Sequence, residues 1–344
     1  MTTTNERPLV SIIIPTYNND VYLEKMIRCI IDQTYTNWEL IVVDDISEDE
    51  SVKMVNSYAK GDNRIKCIIR NREPKGSQTC RNIGFGNSKG DFVIFFDSDD
   101  LIAPYCLEQR VEFMQQNPAI DFGIFPAHSF RDENNYIELK EGDQRFGINQ
   151  NTDVLKSFLE ANYQFLVVTN IFRRDSIKNI VWDEKIRVLQ DFDFNFSTLM
   201  ANLRYAFCGT ARYDYFYRVN YSNNNVCATF VSHEKNQSTI YLFSKTLDIL
   251  KTRNDFKVRK KEFLHFIGLH LTRLIEDGDK SKIKDYLTFC EKYYSSNIVI
   301  SLKGISQISL YNSNEKSRTK MAHRMLVLRF WLKERVNGIL KKFK

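Results

Sequence analysis

Several features that would assign this chain to a familiar class are missing from its sequence. Its 344 residues contain no apolar run of 18 residues, which is about the length that a membrane-spanning helix needs. The N-terminal residues MTTTNERP provide no apolar core for a secretion signal. We therefore expect a chain that neither spans a membrane nor is secreted by that route.

Cysteine and histidine are present without the spacings that give them structural or metal-binding roles. The seven cysteines are scattered, odd in number and include no CxxC pair, which argues against a zinc site or a disulfide framework and indicates reduced thiols in a cytoplasm. The five histidines show no HExxH spacing. The pair Gly84-Phe-Gly86 precedes a predicted strand instead of following one, so a dinucleotide fingerprint is not supported.

Positive charge is concentrated at one end of the chain. The whole sequence has a formal charge of +6, yet residues 316–344 contain ten lysines and arginines and a single acid, Glu334. The other 315 residues therefore have a net charge of −3. A body of that charge is not built for a general attraction to nucleic acid, so we expect no nucleic-acid partner.

Short apolar segments alternate with amphipathic ones through the first third of the chain. The apolar segments, which predict strands, are residues 10–15, 38–43, 64–70, 91–96 and 121–125. The amphipathic segments, which predict helices, are residues 21–33, 49–59, 79–87 and 104–116, with Asp20 as a candidate N-cap of the first. This alternation predicts an α/β fold with a mostly parallel sheet flanked by helices on both faces.

The remainder of the chain gives a weaker pattern. Residues 130–160 are polar, residues 165–172 are strand-like, and residues 191–203 read as a helix. Residues 235–300 place apolar side chains at helical spacing. We therefore predict a helical C-terminal extension.

Acidic residues follow two of the predicted strands. Asp44-Asp45 follows the second strand and Asp97-Ser98-Asp99-Asp100 follows the fourth. Ligands of parallel α/β sheets bind beyond the carboxyl ends of the strands, so these acids are expected at a binding edge. Mg²⁺ and Mn²⁺ prefer oxygen ligands, often one or two carboxylates together with substrate phosphates. For Asp44-Asp45, capping of the next helix by Ser47 or Asp49 is the structural alternative.

Four motifs in succession resemble those of the family 2 inverting glycosyltransferases of bacterial surface-polysaccharide type. The motifs are VSIIIPTYN from Val10, WELIVVDDIS from Trp38, CRNIG from Cys80 and GDFVIFFDSDD from Gly90. Their order and spacing match over roughly residues 8–126, and weaker similarity continues to about residue 222. The resemblance implies a GT-A-like fold, a nucleotide-sugar donor, most commonly a UDP-sugar, and a divalent metal, Mn²⁺ or Mg²⁺.

The resemblance also implies roles for individual residues. Thr16 and Tyr17 would line the nucleotide pocket, Asp45 would accept a hydrogen bond from the base, and Asp97 would reach the ribose. Arg81 would lie near the diphosphate and Asp99 would bind the metal.

A carboxylate must also take the proton of the acceptor hydroxyl, and the family places it at the start of a helix. Asp191 in the segment VLQDFDF matches that position, with Asp193 as the second choice. The family's preceding glutamate is Gln190 here. A plain structural reading is that these acids favour a helix N-terminus through its dipole.

Four further residues bear on the site. Arg218 is a possible phosphate contact, with a surface ion pair as the alternative. Asn220 stands where relatives often have a histidine, which argues against a third protein ligand for the metal. Asp100 and Trp182 are possible acceptor contacts, and core packing is the alternative for Trp182.

The basic segment 316–344 has the pattern of an amphipathic helix. Its apolar residues recur at spacings of three and four from Met321 to Phe343, and most lysines and arginines lie off that stripe. We predict that it binds an anionic membrane surface, while packing on the protein body or on a second subunit is the alternative.

These observations predict three regions. Residues 1–230 form the glycosyltransferase domain, with a nucleotide-binding half at about 8–126 and an acceptor half at about 127–230. Residues 231–315 are helical, and residues 316–344 are the basic helix. We expect an inverting transferase acting on a glycan or lipid-linked glycan, cytoplasmic and peripheral on the inner face of the cell membrane, with oligomerisation possible.

Two other functions remain open. A non-catalytic protein that binds a nucleotide or glycan would suit the departures at Gln190 and Asn220. An aspartyl-nucleophile phosphohydrolase has a motif similar to Phe95–Leu101, but that class expects threonine or valine at Asp100 and places the motif after its first strand.

Overall fold

The computed structural model describes residues 7–149, 153–219 and 232–310. The chain divides into two compact units, one built from Met1–Phe158 with Tyr163–Asn223 and the other from Leu159–Asn162 with Asn224–Lys344. The basic segment 316–344 and Asn220 lie outside the described residues, so their predicted roles stay predictions.

The described part of the first unit contains eleven strands. In chain order, β1 to β11 are Val10–Thr16, Trp38–Asp44, Ile65–Ile69, Phe92–Phe95, Leu101–Ile102, Phe122–Ile124, Ala127–Phe130, Arg145–Phe146, Asn170–Arg173, Tyr205–Phe207 and Tyr215–Arg218. Its helices α1 to α7 are Asp20–Ile31, Ser51–Gly61, Ser77–Asn87, Cys106–Gln116, Val154–Leu159, Arg174–Ile177 and Gln190–Met200.

Seven strands form the main sheet in the order β10-β6-β9-β4-β1-β2-β3. Strands β1 to β4 are mutually parallel, and β10 is parallel to β6. Strand β9 lies between β4 and β6 and runs antiparallel to both. The mostly parallel α/β sheet predicted from the sequence is therefore confirmed, with one reversed strand.

The sheet is buried because its strands carry apolar side chains on both faces. Every residue of β1 and of β2 is buried, and the α1 side chains at helical spacing pack into the same core. Helix α3 approaches β1 closely, since a Cβ atom added at Gly84 would lie 2.4 Å from Cγ2 of Ile13. This close packing brings the first turn of α3 to the carboxyl edge of the sheet.

A smaller sheet has the order β5-β11-β7-β8. Its β11 is fixed to α4 by a fully buried ion pair, in which Arg110 Nη2 donates to Asp214 Oδ1 over 2.7 Å. Arg110 also donates to the Val168 carbonyl oxygen, over 3.1 Å. These contacts place β11 beside the loop that follows β4.

Two local predictions are corrected. Helix α1 begins at Asp20 itself, and the N-cap is Asn19, whose side chain makes no capping hydrogen bond. Residues 165–172 form a strand only from Asn170, because Val167–Thr169 is a short, buried 3-10 helix.

The described part of the second unit is helical, as predicted. Its helices α8 to α11 are His233–Leu250, Phe256–Asp277, Lys280–Tyr293 and Ser296–Leu310. His270 is buried, its Nε2 is 3.2 Å from Asn236 Oδ1, and burial lowers its pKa to about 3. Among the described helices, none combines the length and the apolar character needed to span a bilayer.

Candidate active site

The carboxyl ends of β1, β2 and β4 meet at one edge of the main sheet, as predicted. Thr16 at the end of β1 pairs in register with Asp44 at the end of β2. The loops that follow these two strands are joined, because Asn18 N donates to Ser47 Oγ over 2.9 Å and Glu48 N donates to Asn18 Oδ1 over 2.8 Å. This edge is called the rim below.

The two acids after β2 have different partners. Asp44 accepts hydrogen bonds from Ser47 N (2.8 Å) and Ser47 Oγ (2.5 Å), so it closes the turn after its own strand. Asp45 is buried and accepts a hydrogen bond from Arg70 Nε. The sequence reasoning missed Arg70 as a site residue, although the predicted third strand ended on it and therefore placed it at the rim.

Arg81 reaches the rim from the first turns of α3. Its Nη2 donates to Asp97 Oδ1 over 2.6 Å, and its Nη1 donates to Ser77 Oγ and to Gln190 Oε1, both over 3.3 Å. The guanidinium lies 4.5 Å from the ring centre of Trp182. The structure thus joins Arg81 and Asp97, which the family resemblance assigned to the nucleotide.

Trp182 and Asp100, the two possible acceptor contacts, are both buried. Trp182 is only 2% exposed and stacks on Phe194 at 4.3 Å between ring centres, so packing explains it. Asp100 is 1% exposed and accepts hydrogen bonds from Arg218 N (2.7 Å) and the Tyr215 hydroxyl. Packing and hydrogen bonding account for these two side chains here, and their contact with an acceptor stays a prediction.

Among residues 7–149, 153–219 and 232–310, no cation forms an ion pair with the carboxylate of Asp99, whereas Asp97 pairs with Arg81. Burial, followed by repulsion from Asp97, raises the pKa of Asp99 to about 6. A group in this state gains from a bound cation, which would replace the missing counter-charge.

Arg218 lies at the end of β11 and contacts the loop that follows β4, which carries Asp99. Its Nε donates to the Asp99 carbonyl oxygen over 2.5 Å, and its Nη1 forms an ion pair with Glu133. Lys25 pairs with Glu133 as well. The predicted phosphate contact therefore belongs to a buried network, which sequence spacing alone did not indicate.

Asp191 lies in the first turn of α7, as predicted. The helix is entered through Leu189, whose φ of 59° is left-handed. Burial raises the pKa of Asp191 to about 6, with Arg81 opposing that shift and Asp97 adding to it. The candidate base thus shares an electrostatic environment with the candidate donor residues.

Several donors at the rim point to an anionic ligand. The Thr16 hydroxyl, the Thr79 hydroxyl, Arg81 Nε and Arg218 Nη2 are buried and have no hydrogen-bond partner among the described residues. Buried donors are rarely left unsatisfied without a reason, and a diphosphate supplies many acceptor oxygens. In the described parts of the chain no three His, Cys, Asp or Glu side chains form a complete metal cage. The donor set fits a divalent cation held by one or two carboxylates and completed by substrate phosphates.

Comparison with known proteins agrees with this geometry. Residues 11–181 match the family model described as Glycosyl transferase family 2. An uncharacterized glycosyltransferase of Haemophilus influenzae is 37% identical over 172 residues, which are 50% of this chain and 64% of that protein. The chain therefore spans less than two thirds of that relative.

Two further proteins match over most of the chain. The GalNAc(5)-diNAcBac-PP-undecaprenol beta-1,3-glucosyltransferase of Campylobacter jejuni is 27% identical, covering 83% of this chain and 81% of its own length. The crystal structure of S. aureus TarS 1–349 in complex with UDP-GlcNAc has a TM-score of 0.62 and 17% identity, covering 92% of this chain and 89% of that chain. The second likeness establishes the fold. The chain belongs to glycosyltransferase family 2, with the family match at residues 11–181 and the GT-A fold around its acidic rim.

Proposed function

We propose that the protein is an inverting glycosyltransferase that moves a sugar from a UDP-sugar to a hydroxyl group of a glycan or lipid-linked glycan. The observation that carries the proposal is the arrangement of three groups at one rim. These are the Arg81–Asp97 pair, the uncompensated Asp99, and Asp191 in the first turn of α7.

The donor end of the site must stabilise a leaving diphosphate. Arg81 presents an unsatisfied buried Nε beside the rim, and its guanidinium carries a permanent positive charge. Asp99, with Asp97 nearby, would hold a Mn²⁺ or Mg²⁺ ion, which when bound would neutralise charge that develops on the leaving group. Thr16 and Tyr17 at the end of β1 would line the nucleotide, and Asp45, held by Arg70, would accept a hydrogen bond from the base.

The acceptor end must remove a proton. Asp191 is half-buried, and its raised pKa of about 6 makes it a stronger base than an exposed aspartate while it remains ionised at neutral pH. A positioned carboxylate of this kind typically contributes about 10²–10⁴ in rate. Attack by the acceptor oxygen on the face opposite the diphosphate inverts the anomeric centre.

The similar proteins support a proposal for the two substrates. TarS was solved with UDP-GlcNAc, and the Campylobacter enzyme is named for an undecaprenol-linked acceptor. We extend both to this chain as a hexosyl or N-acetylhexosaminyl donor and a lipid-linked acceptor in surface-polysaccharide assembly. Binding of residues 316–344 to an anionic membrane surface, on the cytoplasmic face, would bring the enzyme to such an acceptor.

The test is a panel of nucleotide sugars with purified protein and Mn²⁺, followed by measurement of nucleotide diphosphate release. We expect release with one sugar, lost on addition of a chelator and in Asp99→Ala. Asp175→Ala is the matched control, because this exposed acid follows the reversed strand β9 at the opposite edge of the sheet. Absence of nucleotide binding in the presence of metal would reject the proposal, and binding without turnover would indicate the non-catalytic alternative.

A further inference from the structure

Gln190 connects the two elements that carry the candidate base and the candidate phosphate residue. Its Oε1 accepts hydrogen bonds from Ser77 Oγ (2.6 Å) and Arg81 Nη1 (3.3 Å), both on α3. Its Nε2 donates to Gln78 Oε1 over 2.8 Å and to the Ile186 carbonyl oxygen over 3.3 Å. One side chain thus bonds to three residues of α3 and to the segment that leads into α7.

The first turn of α7 is held by two kinds of side-chain contact. The buried ring of Phe192 lies 6.4 Å from that of Phe158 and 6.3 Å from that of Tyr163, and Gln190 supplies the hydrogen bonds to α3. No side chain caps the helix, and the residue at the N-cap position, Leu189, is apolar and left-handed. Asp191 follows Gln190 directly, so the direction of its carboxylate depends on how the first turn is fixed. The hydrogen bonds of Gln190 fix that turn to the first turns of α3.

The amide is chemically suited to this place in a way that a carboxylate is not. Oε1 accepts from a hydroxyl and a guanidinium, while the Nε2 group donates to two oxygen atoms. A glutamate has no proton to donate when ionised, so it would oppose the oxygens of Gln78 and Ile186. It would also add a negative charge beside Arg81, which already donates to Asp97.

We propose that Gln190 is a positioning residue that aligns Asp191 with Arg81 and that its neutral amide leaves the charge of Arg81 available to the donor diphosphate. This inference rests on the proposed function. The hydrogen bonds of Gln190 are expected to affect turnover, and its lack of charge is expected to affect nucleotide affinity.

Removing the side chain tests the alignment. In Gln190→Ala the connection between α3 and α7 is lost, and we expect kcat to fall at least about tenfold, since small displacements of a catalytic group have effects of this order. The affinity for UDP should change less than kcat, because Arg81 keeps its bonds to Asp97 and Ser77. If kcat and the affinity for UDP fell equally and the unfolding temperature fell as well, Gln190 would have a general structural role. That result would overturn the proposal.

Changing only the charge of residue 190 tests whether the neutral amide keeps Arg81 available to the diphosphate. Gln190→Glu has nearly the same shape, and we expect it to weaken UDP binding about tenfold or more, because an added carboxylate competes for Arg81. Gln115→Glu provides the matched control, since Gln115 is exposed on α4 and undergoes the same change in charge. UDP binding by Gln190→Glu as tight as that of the control would overturn this half of the proposal.

The measurements are calorimetric titration with UDP and Mn²⁺ and steady-state kinetics of the full chain with its best nucleotide sugar. A double variant, Ser77→Ala with Gln190→Ala, should lose little more kcat than Gln190→Ala alone, because the two residues share one hydrogen bond. Fully additive losses would contradict the proposed connection. Failure of the proposed function is seen separately, as absence of turnover in the unmodified protein before any variant is compared.

Discussion

At the level of single residues, the acids of the rim differ mainly in what holds their negative charge. Asp44 has the Ser47 amide and hydroxyl, Asp45 has Arg70, and Asp100 has a backbone amide and a tyrosine hydroxyl. The pKa values of Asp99, Asp100 and Asp191 are all raised, and within the described ranges Asp99 and Asp191 have neither a paired cation nor a side-chain hydrogen bond. These two are therefore the acids that a cation or a proton from the substrate would most change.

The first prediction concerns the pH dependence of transfer. Asp191 acts as a base only when ionised, and its pKa is about 6, so kcat/KM should rise with pH through about 6 and then level off. The pH–rate profile should be measured at saturating Mn²⁺, because protonation of Asp99 near the same pH would otherwise weaken metal binding and produce a similar limb.

The control for this prediction is Asp191→Asn. It should bind UDP as the unmodified protein does and lose transfer at every pH. Turnover in that variant with the same acid limb would remove Asp191 from the role of base.

A second prediction concerns backbone strain at Ile46. This β-branched residue has a φ of 64° in the loop after β2, and its side chain is 52% exposed. A left-handed conformation is costly for such a residue, so Ile46→Gly should raise the free energy of unfolding by about 1 kcal/mol. Urea unfolding measures the change, with Ile69→Gly as the control.

Ile69 is equally exposed but lies in strand β3. Glycine there should lower the free energy of unfolding, because an extended strand residue gains no relief and the unfolded chain becomes more flexible. A loss of stability in both variants would contradict the assignment of strain to Ile46.

At the level of elements, the smaller sheet depends on a charge pair that has no contact with water. Arg110 and Asp214 both have fully buried side chains, and the pair connects α4 to the start of β11. Strand β11 in turn carries Tyr215 and Arg218, which hold Asp100 and the loop after β4. The position of the acidic loop therefore depends on a salt bridge beneath it.

A third prediction follows for this pair. Arg110→Met should lower the free energy of unfolding by about 3–5 kcal/mol, because it leaves the Asp214 carboxylate buried without its counter-ion. The double variant Arg110→Met with Asp214→Leu should recover most of that loss, since no charge then remains buried. Denaturant unfolding of the three proteins gives the comparison, and a double variant as unstable as Arg110→Met would contradict the explanation.

The elements also show how far the sequence could be interpreted alone. The strands β1 to β4 are predictable because each is a short, mostly apolar run, and the placement of the acids after β2 and β4 follows from parallel topology. The smaller sheet was not predicted, because strands of two residues such as Leu101–Ile102 carry no periodic signal. The partners of Asp45 and Arg218 were missed because Arg70 and Glu133 are far from them in the sequence and only the fold brings them together.

Some of the site remained ambiguous for a further reason. Trp182 is an aromatic residue, and such residues serve equally well in sugar stacking and in core packing. Its burial against Phe194 and under Arg81 depends on three separate elements, which no local pattern specifies.

At the level of the whole molecule, charge is divided between a mildly acidic body and the basic segment 316–344. Each lysine or arginine near an anionic bilayer contributes on the order of 1 kcal/mol, and the contribution falls with added salt. A fourth prediction is that removal of residues 316–344 abolishes co-sedimentation with anionic vesicles while UDP binding is retained.

The same sedimentation experiment has an internal control. The full chain should leave the vesicles at high salt or when the lipid is zwitterionic. Unchanged sedimentation of the shortened chain would reject the membrane role of this segment. It would mean that another part of the protein binds the vesicles.

The reversed strand β9 has a consequence for how the protein is made. Strands β4 and β6 are not neighbours, and β9 fills the place between them. During synthesis, the edge of β4 therefore stays unpaired until residue 173 has left the ribosome. At about 5–20 residues per second, this pairing is delayed by several seconds. An unpaired, fully apolar strand edge is prone to join the wrong partner, so nascent chains of this protein should depend on chaperones most strongly during that interval.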